Sequence, residues 1–587
     1  MTRIQRLQRI LPRQIVPTRD RVELCTDVYL TQYEEAVPTV VIRTPYGRNL
    51  PLLMQIALRF SAAGMAVVLQ DCRGRYQSGG TYDWQREEDD TYDTLAWIAE
   101  QPWADGRVGL YGMSITAHPN FLVSVSGPPE GIEIAAMVSV MGTVSHYDTF
   151  YRDGALVLHW ALPWFTMADE QERGRSTWQE LPWHDKLRQL PLESMSTGTE
   201  SGAEIWSRML AHPQQGPMWR ELDANHRIGG LAVPTLFLSG WSDFLIGQAV
   251  EGYQVASEGA PVDHRMVVGP WDHKTIFNSF GAAAEKFKTD VDLLGVIVDW
   301  FTDRLIVDGA RAAGSGIRVA SGAERTRVQL YLENGDGWLG SPTFPLPGTD
   351  VRSYYLSSGG GANTRDGDGE LRETPPANLG RDTFTYDPDD PVPTRGGAVW
   401  PFPAADLQAG PADQSDIEDR QDVLVYVSEP LEDDLDVVGP IEVEVWVSTS
   451  AQDTDFTAKL VEVDAFGVPE IVQDGIVRGR FHASLEEPEH LQPHKPYKMR
   501  IPMQSICRRF QQGHQIGLEV SSSCFPKFDR HLNTSGDWIK ASVGMVAQQT
   551  VFHGGAMASR LLLPVVPADR VEEHRIPPST VASGASS

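Results

Sequence analysis

The distribution of hydrophobic and polar positions divides the chain into regions of different periodicity. From about residue 36 to 125, short β-branched runs alternate with helix-like stretches, as in "VPTVVIRTPYG", "LPLLMQIALRFSAAG" and "MAVVLQDCRGRYQSGG". Each predicted strand is apolar along most of its length, which is typical of a parallel sheet covered by helices on both faces. The runs "VPTLFLSGWSD" and "HRMVVGPWDH" repeat this rhythm, so we assign them to late strands of the same sheet.

Two further regions follow other patterns. Residues 144–229 lose the strand signal and hold six of the sixteen tryptophans, which favours a helical cap inserted over a site; for most of these tryptophans, simple packing of the cap onto the sheet is the alternative. Beyond about residue 325, apolar positions alternate with period two, as in "IEVEVWVSTS", between turn-rich stretches. This pattern predicts an all-β domain, a sandwich or jelly roll whose surface loops we expect to reach the cap and sheet.

Composition narrows the classes of partner. The 587 residues carry 79 acidic against 50 basic side chains, a net charge of −29 that repels phosphate backbones, so we expect no nucleic-acid partner. No segment reaches eighteen consecutive apolar residues and the first twenty contain no apolar core, so we expect neither a membrane span nor a signal peptide. Four scattered cysteines indicate reduced thiols and a cytoplasmic location; a Cys507–Cys524 bridge is the alternative.

The stretch "VGLYGMSITAH", residues 108–118, carries the first chemical signal. Ser114 follows Gly112 by two residues where a predicted strand turns into a helix. A sharp turn of this kind presents a serine hydroxyl to a carbonyl carbon and offers the first N–H groups of the helix to an oxyanion. The other interpretation of Ser114 is a helix N-cap, which serine forms very commonly.

Two later residues favour the nucleophile. Asp243 and His273 each follow one of the late strands, and Ser, Asp, His is the chain order of the α/β-hydrolases. His273 would take the proton of Ser114, with Asp243 fixing the imidazole tautomer. His118 and His264 are weaker candidates for the base because neither ends a strand, and Asp272 is a weaker candidate for the acid because it adjoins His273.

Six motifs in order, "RTPYG", "QDCRG", "GMS", "GWSD", "GPWDH" and "SSSCFPKFDRHLNT", give a resemblance over residues 15–570. The chain resembles the cocaine esterase and Xaa-Pro dipeptidyl-peptidase family of α/β-hydrolases, which also contains glutaryl-cephalosporin acylases and α-amino acid ester hydrolases. The resemblance implies an α/β-hydrolase domain (1–143 and 230–340), a helical cap (144–229) and a C-terminal jelly-roll β-sandwich (341–587). The tail "PPSTVASGASS" is predicted to be disordered.

The resemblance also implies the roles of site residues. Ser114, Asp243 and His273 would form the catalytic triad, and the Tyr46 hydroxyl and the Ile115 backbone N–H would stabilise the oxyanion. The elbow departs from the family's usual G-x-S-Y-x-G, because "GMSITA" has Ile115 in place of the aromatic residue and Ala117 in place of the second glycine. Pro119 is expected to remove one hydrogen bond early in the following helix and to bend it.

The predicted function is serine hydrolysis of small-molecule esters or amides through an acyl-enzyme, most of all a cocaine-esterase-like activity. Amide acylase or peptidase activity is the alternative, and a non-catalytic protein that binds carbohydrate or a partner is the alternative of another class. The predicted substrate-binding residues are Trp160, Trp164, Phe165 and Phe244. Asp148 and Asp153 are acidic but form no recognisable cluster for a substrate ammonium. No metal or organic cofactor is predicted, and homo-oligomerisation is left open.

Overall fold

The computed structural model describes residues 9–31, 35–172, 180–195, 200–280, 291–306, 326–335, 337–402 and 406–576, and the predicted disordered tail lies outside them. Their strands form a ten-stranded sheet, a thirteen-stranded sheet and a two-stranded hairpin. The first sheet contains β1 Arg9–Pro17, β2 Glu23–Leu30, β3 Val37–Thr44, β4 Ala66–Asp71, β5 Ala104–Met113, β6 Glu133–Val140, β9 Thr235–Gly240, β10 Arg265–Gly269, β11 Val328–Leu332 and β12 Gly337–Ser341.

The first sheet is parallel through its centre. Its order is β1-β2-β4-β3-β5-β6-β9-β10-β11-β12, with parallel pairing from β4 to β11 and antiparallel pairing at both edges. In such a sheet the carboxyl ends of β5, β9 and β10 lie on the same edge, which is where ligands bind in α/β folds. The late strands predicted from "VPTLFLSGWSD" and "HRMVVGPWDH" are β9 and β10.

Helices bury both faces of this sheet. Successive residues of a strand point to opposite faces, so Val41 belongs to one apolar core and its neighbours Val40 and Ile42 to the other. One core is completed by α2 Glu87–Ala99, α3 His118–Ser126 and α9 Ile246–Gly259, and the other by α1 Pro51–Ala62 and α10 Leu293–Leu305. This double burial explains why the strands are apolar along most of their length.

The segment between β6 and β9 is mostly helical. It contains a hairpin, β7 Tyr151–Arg152 and β8 Ala155–Leu156, and the helices α4 His146–Phe150, α5 Leu158–Glu172, α6 Trp183–Leu187, α7 Glu200–Leu210 and α8 Pro217–Leu222. Its described tryptophans are buried in one aromatic core, where Trp160 and Trp164 lie 5.3 Å apart between ring centroids. We call this helical segment the cap.

The second sheet contains strands that show the predicted period of two, and we call residues 350–566 the β-region. In Gly380–Tyr386, for example, every second side chain is buried and the next is exposed. Two helices accompany the strands, α11 Ser415–Glu418 and α12 Ala568–His574. The strands are β13 Asp350–Ser357, β14 Glu370–Arg372, β15 Gly380–Tyr386, β16 Leu424–Ser428, β17 Leu435–Gly439, β18 Glu442–Thr449, β19 Asp455–Val463, β20 Pro469–Arg478, β21 Tyr497–Pro502, β22 Ile506–Phe510, β23 Gln515–Ser521, β24 Ala547–His553 and β25 Arg560–Val566.

The predicted fold class, an α/β sheet with an inserted cap and a β-rich C-terminal part, is confirmed. All four cysteines are free and buried, so the alternative Cys507–Cys524 bridge is not formed. Among the described helices, none has the length and apolar character needed to cross a bilayer. Pro119 lies in the first turn of α3, where the N–H groups have no partner within the helix, so its position is one that a helix tolerates; the expected bend stays a prediction. The domain boundaries given above remain predictions.

Candidate active site

Ser114 lies in a strained turn between β5 and the following helix. Its φ is +56°, a left-handed conformation that is unfavourable for a residue with a Cβ and that is found at functional turns. A single 3-10 turn, Ser114–Ala117, leads directly into α3. This geometry places the serine hydroxyl at the carboxyl edge of the sheet, at the start of a helix.

Two glycines create the room for this turn. A Cβ added to Gly112 would lie 2.4 Å from the Cα of Ala117, and one added to Gly142 would lie 2.6 Å from the Cβ of Ala117. Real Cβ atoms do not approach other atoms so closely, so both positions require glycine: at Gly112 the conflict is with the backbone of residue 117, and at Gly142 the Oγ of Ser139 would lie closer still, at 2.0 Å. Space for the elbow therefore comes from Gly112 on β5 and Gly142 just after β6.

The other departures in "ITA" also have structural roles. Thr116 donates its hydroxyl to the Met113 carbonyl at 2.8 Å and accepts the Met113 N–H at 2.9 Å, so its side chain closes the turn. The Ile115 side chain is 5% exposed and packs in the aromatic core of the cap. Ile115 thus fixes the cap to the elbow, while its backbone N–H stays at the first turn of the helix.

Asp243 and His273 lie within hydrogen-bonding distance of each other and of Ser114. The Asp243 Oδ2 and His273 Nδ1 atoms are 2.6 Å apart, and the His273 Nε2 and Ser114 Oγ atoms are 3.1 Å apart. Asp243 is fully buried, and its second oxygen accepts the Leu245 N–H at 2.7 Å. A carboxylate held on Nδ1–H leaves the lone pair of Nε2 facing the serine hydroxyl, which is the arrangement that activates a serine.

The competing residues have other contacts. Asp272 Oδ1 accepts the backbone N–H groups of Lys274 and Thr275, so it stabilises the turn that carries His273. His264 is buried against Phe237, with 6.4 Å between the ring centroids. His118 is buried beside His146, with 4.0 Å between the ring centroids.

Tyr46 lies in the same cavity as Ser114, and Trp164 orients it. The indole Nε1–H of Trp164 donates to the Tyr46 hydroxyl oxygen at 2.8 Å. Because that oxygen already accepts a hydrogen bond, the phenolic hydrogen is left to point elsewhere, and both residues line the cavity that contains Ser114. Burial raises the pKa of Tyr46 to about 12, so the phenol keeps its proton across the neutral range. Tyr46 can therefore donate to an oxyanion without adding charge.

The cavity around Ser114 has a volume of about 380 Å³ and mostly apolar walls. It receives residues from three parts of the fold: the sheet edge and α1, the cap, and a loop of the β-region. Apolar side chains from these parts that line it are Leu50, Leu52, Leu53, Ile56, Met113, Trp160, Trp164, Met167, Phe277, Trp400 and Phe402. The expectation that loops of the β-region reach the site is confirmed by Trp400 and Phe402.

The four predicted substrate-binding residues divide into two pairs. Trp160 and Trp164 line the cavity. Phe165 stacks on Phe150 with 5.8 Å between ring centroids, inside the core of the cap. Phe244 packs 5.0 Å from the His273 ring and 5.0 Å from the Trp160 ring, behind the cavity wall. Phe165 thus packs within the cap, and Phe244 packs against the ring of His273; neither residue lines the cavity.

Sequence reasoning missed two contributions to the site. Trp400 and Phe402 stack with 5.5 Å between their ring centroids, and they lie more than 120 residues after His273. Their only sequence signal is the aromatic character of "VWPFP" in a turn-rich loop. Leu50, Leu52 and Leu53 were assigned to a helix by pattern, but nothing in that pattern indicated which leucines face a cavity.

Comparisons with known proteins agree with this architecture. Residues 20–275 match the family model described as X-Pro dipeptidyl-peptidase (S15 family), and residues 321–562 match the one described as X-Pro dipeptidyl-peptidase C-terminal non-catalytic domain. The chain is 32% identical over 578 residues to a protein named cocaine esterase from Rhodococcus sp. (strain MB1 Bresler), covering 94% of this chain and 98% of that one.

Two solved structures share the fold along nearly the whole chain. An aminopeptidase from a marine sediment archaeon, Thaumarchaeota archaeon, superposes with a TM-score of 0.79 at 24% identity and covers 96% of this chain and 97% of its own. An α-amino acid ester hydrolase superposes with a TM-score of 0.75 at 23% identity and covers 95% of this chain and 96% of its own. At these identities the two structures establish the fold alone.

Proposed function

The chain belongs to the family of serine hydrolases that includes cocaine esterase and the S15 X-Pro dipeptidyl-peptidases, and we propose that within it this protein is an esterase for neutral, apolar esters. The observation that carries the proposal is the 380 Å³ apolar cavity that opens onto a hydrogen-bonded Ser114, His273 and Asp243. In this proposal Ser114 is the nucleophile, His273 the general base and Asp243 the residue that orients it.

The chemistry follows from the hydrogen bonds. The Ser114 hydroxyl attacks the ester carbonyl while His273 Nε2 takes its proton, and Asp243 stabilises the resulting imidazolium. The oxygen that becomes negative is stabilised by the Tyr46 hydroxyl and the Ile115 N–H. His273 then returns the proton to the leaving alcohol, and a water molecule activated by the same histidine hydrolyses the acyl-Ser114 ester.

The polarity of the cavity selects the substrate class. No carboxylate is found among the described residues that line it, so a substrate ammonium group would be desolvated there without a counter-charge. Of the two cations in the lining, Arg43 is buried and paired with Glu87. Asp148 and Asp153 lie outside the lining. These features favour esters with uncharged acyl groups over α-amino esters and over peptides with a free amino terminus.

One observation favours a second candidate, an acylase for acyl groups that end in a carboxylate. Lys274 directly follows His273, is exposed, and lines the cavity. Its ammonium group can reach an anionic acyl group at the cavity mouth, as a glutaryl amide would present. An exposed ion pair contributes only about 0–1 kcal/mol, so we rank this activity below hydrolysis of neutral esters.

A substrate panel tests the proposal. We expect kcat/KM to be highest for p-nitrophenyl butyrate and aryl benzoates, and lower by about 10²-fold or more for an α-amino ester, a glutaryl anilide and an X-Pro anilide of matched leaving group. Lys274→Gln should lower only the glutaryl activity. A preference for the α-amino ester or the X-Pro anilide would contradict the proposed substrate class. If the wild-type protein hydrolyses none of these substrates faster than Ser114→Ala does, the non-catalytic alternative is favoured.

A cytoplasmic location is also a proposal. It is supported by four cysteines that are all free and buried, a pattern expected where thiols stay reduced.

A further inference from the structure

Three buried side chains meet outside the cavity of Ser114. His118 is the first residue of α3, His146 is the first residue of α4, and Asp223 directly follows α8. They are 2%, 2% and 0% exposed. One ligand atom of each lies within 4.8 Å of a ligand atom of the other two, although 27 and 76 residues separate them along the chain. None of the three lines the cavity of Ser114.

The two imidazoles hold nitrogen atoms without hydrogen-bond partners. Nε2 of His118 and Nδ1 of His146 are buried and unpaired, and the two rings are perpendicular with 4.0 Å between centroids. A neutral imidazole has one nitrogen with a free lone pair, and in each ring a buried nitrogen without a hydrogen-bond partner is available to present it to a metal ion.

Asp223 supplies the negative charge. Its carboxylate accepts the backbone N–H of His146 at 2.6 Å and the hydroxyl of Ser145 at 2.9 Å, which fix its orientation. Oδ1 also accepts the Tyr147 N–H at 3.4 Å, whereas Oδ2 accepts only the Ser145 hydroxyl and keeps a second lone pair. Among the described residues, no lysine or arginine forms an ion pair with Asp223. A buried carboxylate without a positive partner is costly, and a bound cation would remove that cost.

We propose that His118, His146 and Asp223 form a binding site for one divalent transition-metal ion of the zinc type. Two imidazole nitrogens and one carboxylate oxygen are a ligand set that Zn²⁺ accepts, at bonds of about 2.0–2.2 Å. Ligand atoms around a tetrahedral ion lie about 3.3 Å apart, so closing the present arrangement needs movements of about 1 Å in side chains.

The site would act on structure and not on the reaction itself. It joins the start of the helix that follows Ser114 to two helices of the cap, α4 and α8. A metal ion there would connect the start of α3 to α4 and α8 of the cap without contacting the triad. The expected consequence is a protein that is more resistant to heat with zinc than without it, while kcat at low temperature changes little.

Direct zinc binding tests this inference. The full-length protein is treated with EDTA, desalted, and titrated with Zn²⁺ in competition with a chromophoric chelator. We expect one tight equivalent per chain and a rise in Tm on adding it. His118→Gln and His146→Gln should each lose both effects. His264→Gln is the matched control, because His264 is 1% exposed and lies outside the cluster.

The outcomes separate clearly. A tight equivalent that survives in the His118→Gln and His146→Gln variants would overturn the assignment, and so would a wild-type protein that takes up no zinc and whose Tm does not respond to it. The wild-type titration does not depend on whether the variants fold. Neither result bears on the esterase proposal, because the ester panel can be run on the EDTA-treated enzyme.

Discussion

The first sheet and the β-region each contain a serine, an aspartate and a histidine in contact, in the same chain order. In the first sheet these are Ser114, Asp243 and His273. In the β-region they are Ser358, Asp382 and His553, which follow one another in the same way. The residue types and their order are therefore shared, and only the geometry distinguishes the two sets.

In the β-region set, the serine hydroxyl donates its hydrogen bond to the carboxylate and not to the histidine. The Ser358 hydroxyl is 2.7 Å from both oxygens of Asp382, and His553 faces the serine at 3.0 Å and the aspartate at 3.1 Å with the same nitrogen, Nε2. Tyr426 donates to Asp382 as well, at 2.8 Å. No relay from aspartate through the two nitrogens of the ring exists in this arrangement, and Ser358 does not line the apolar cavity.

In the first-sheet set, the histidine separates its partners. Nδ1 faces Asp243 and Nε2 faces Ser114, so a proton can move from serine to ring while the carboxylate stabilises the charge. Ser114 is also held with φ at +56° at the wall of a cavity. The comparison teaches that a cluster of reactive residue types becomes a catalytic unit only when one ring nitrogen is reserved for each partner.

The largest expected difference between the two sets is the change in kcat when the serine of each is replaced by alanine. Ser114→Ala should lower kcat for p-nitrophenyl butyrate by about 10⁴-fold or more, because all nucleophilic catalysis is lost. Ser358→Ala should leave kcat within about twofold of wild type and reduce the free energy of unfolding by about 1–3 kcal/mol, because a hydrogen bond to a buried charge is lost. Steady-state kinetics and urea unfolding measure the two effects. A large loss of kcat in Ser358→Ala would end the distinction between the two sets.

The next effect concerns the two tyrosines. Tyr46→Phe should lower kcat by about 10²-fold with little change in KM, because it removes one oxyanion donor that acts in the transition state. Tyr426→Phe, which removes the donor to Asp382, should leave kcat unchanged. Single-turnover acylation rates check the comparison. Equal rates for Tyr46→Phe and wild type would show that the Tyr46 hydroxyl does not contact the oxyanion.

The smallest effect is on stability and uses a buried charge of the β-region. Burial, assisted by the charge of Glu519, raises the pKa of Glu418 from 4.5 to about 8. The folded state thus holds this proton more tightly than the unfolded state. The contribution of the protonated Glu418 to the free energy of unfolding is therefore fully present below about pH 4.5, and it is lost progressively as the pH rises to about 8.

Glu418→Gln, which stays neutral, should therefore gain about 1–3 kcal/mol in unfolding free energy relative to wild type between pH 5 and pH 9, with kcat unaffected. Urea unfolding at the two pH values measures the change. Glu432→Gln, at an exposed position of the same region, is the control. The interpretation fails if both variants show the same dependence on pH as wild type.

The sequence was sufficient for the parts of the site that lie at strand ends. Parallel strands bring their carboxyl ends to one edge, so locating β5, β9 and β10 in the pattern also brought Ser114, Asp243 and His273 together. Tyr46 needed the family resemblance, because a half-buried tyrosine after a strand has no distinguishing pattern. Its orientation by Trp164 could not be predicted, since it depends on how a cap helix is placed over the sheet.

Other features depend on contacts that no short-range pattern records. Trp400 and Phe402 reach the cavity because the β-region packs against the cap, where Trp183 contacts Phe402 with 5.0 Å between ring centroids. The spacing of His118, His146 and Asp223 matches no metal-binding motif, and their meeting arises from three helix ends that converge outside the cavity. Phe165 and Phe244 were predicted to bind substrate because aromatic residues near a site look alike in sequence, whether they line the cavity or support its wall.

Covalent labelling tests the central claim most directly. The protein is reacted with a fluorophosphonate, its intact mass is measured, and the labelled peptide is identified after proteolysis. We expect one adduct per chain, on Ser114, formed at the same rate in wild type and Ser358→Ala, and no adduct in Ser114→Ala. An adduct on Ser358, or undiminished labelling of Ser114→Ala, would contradict the claim.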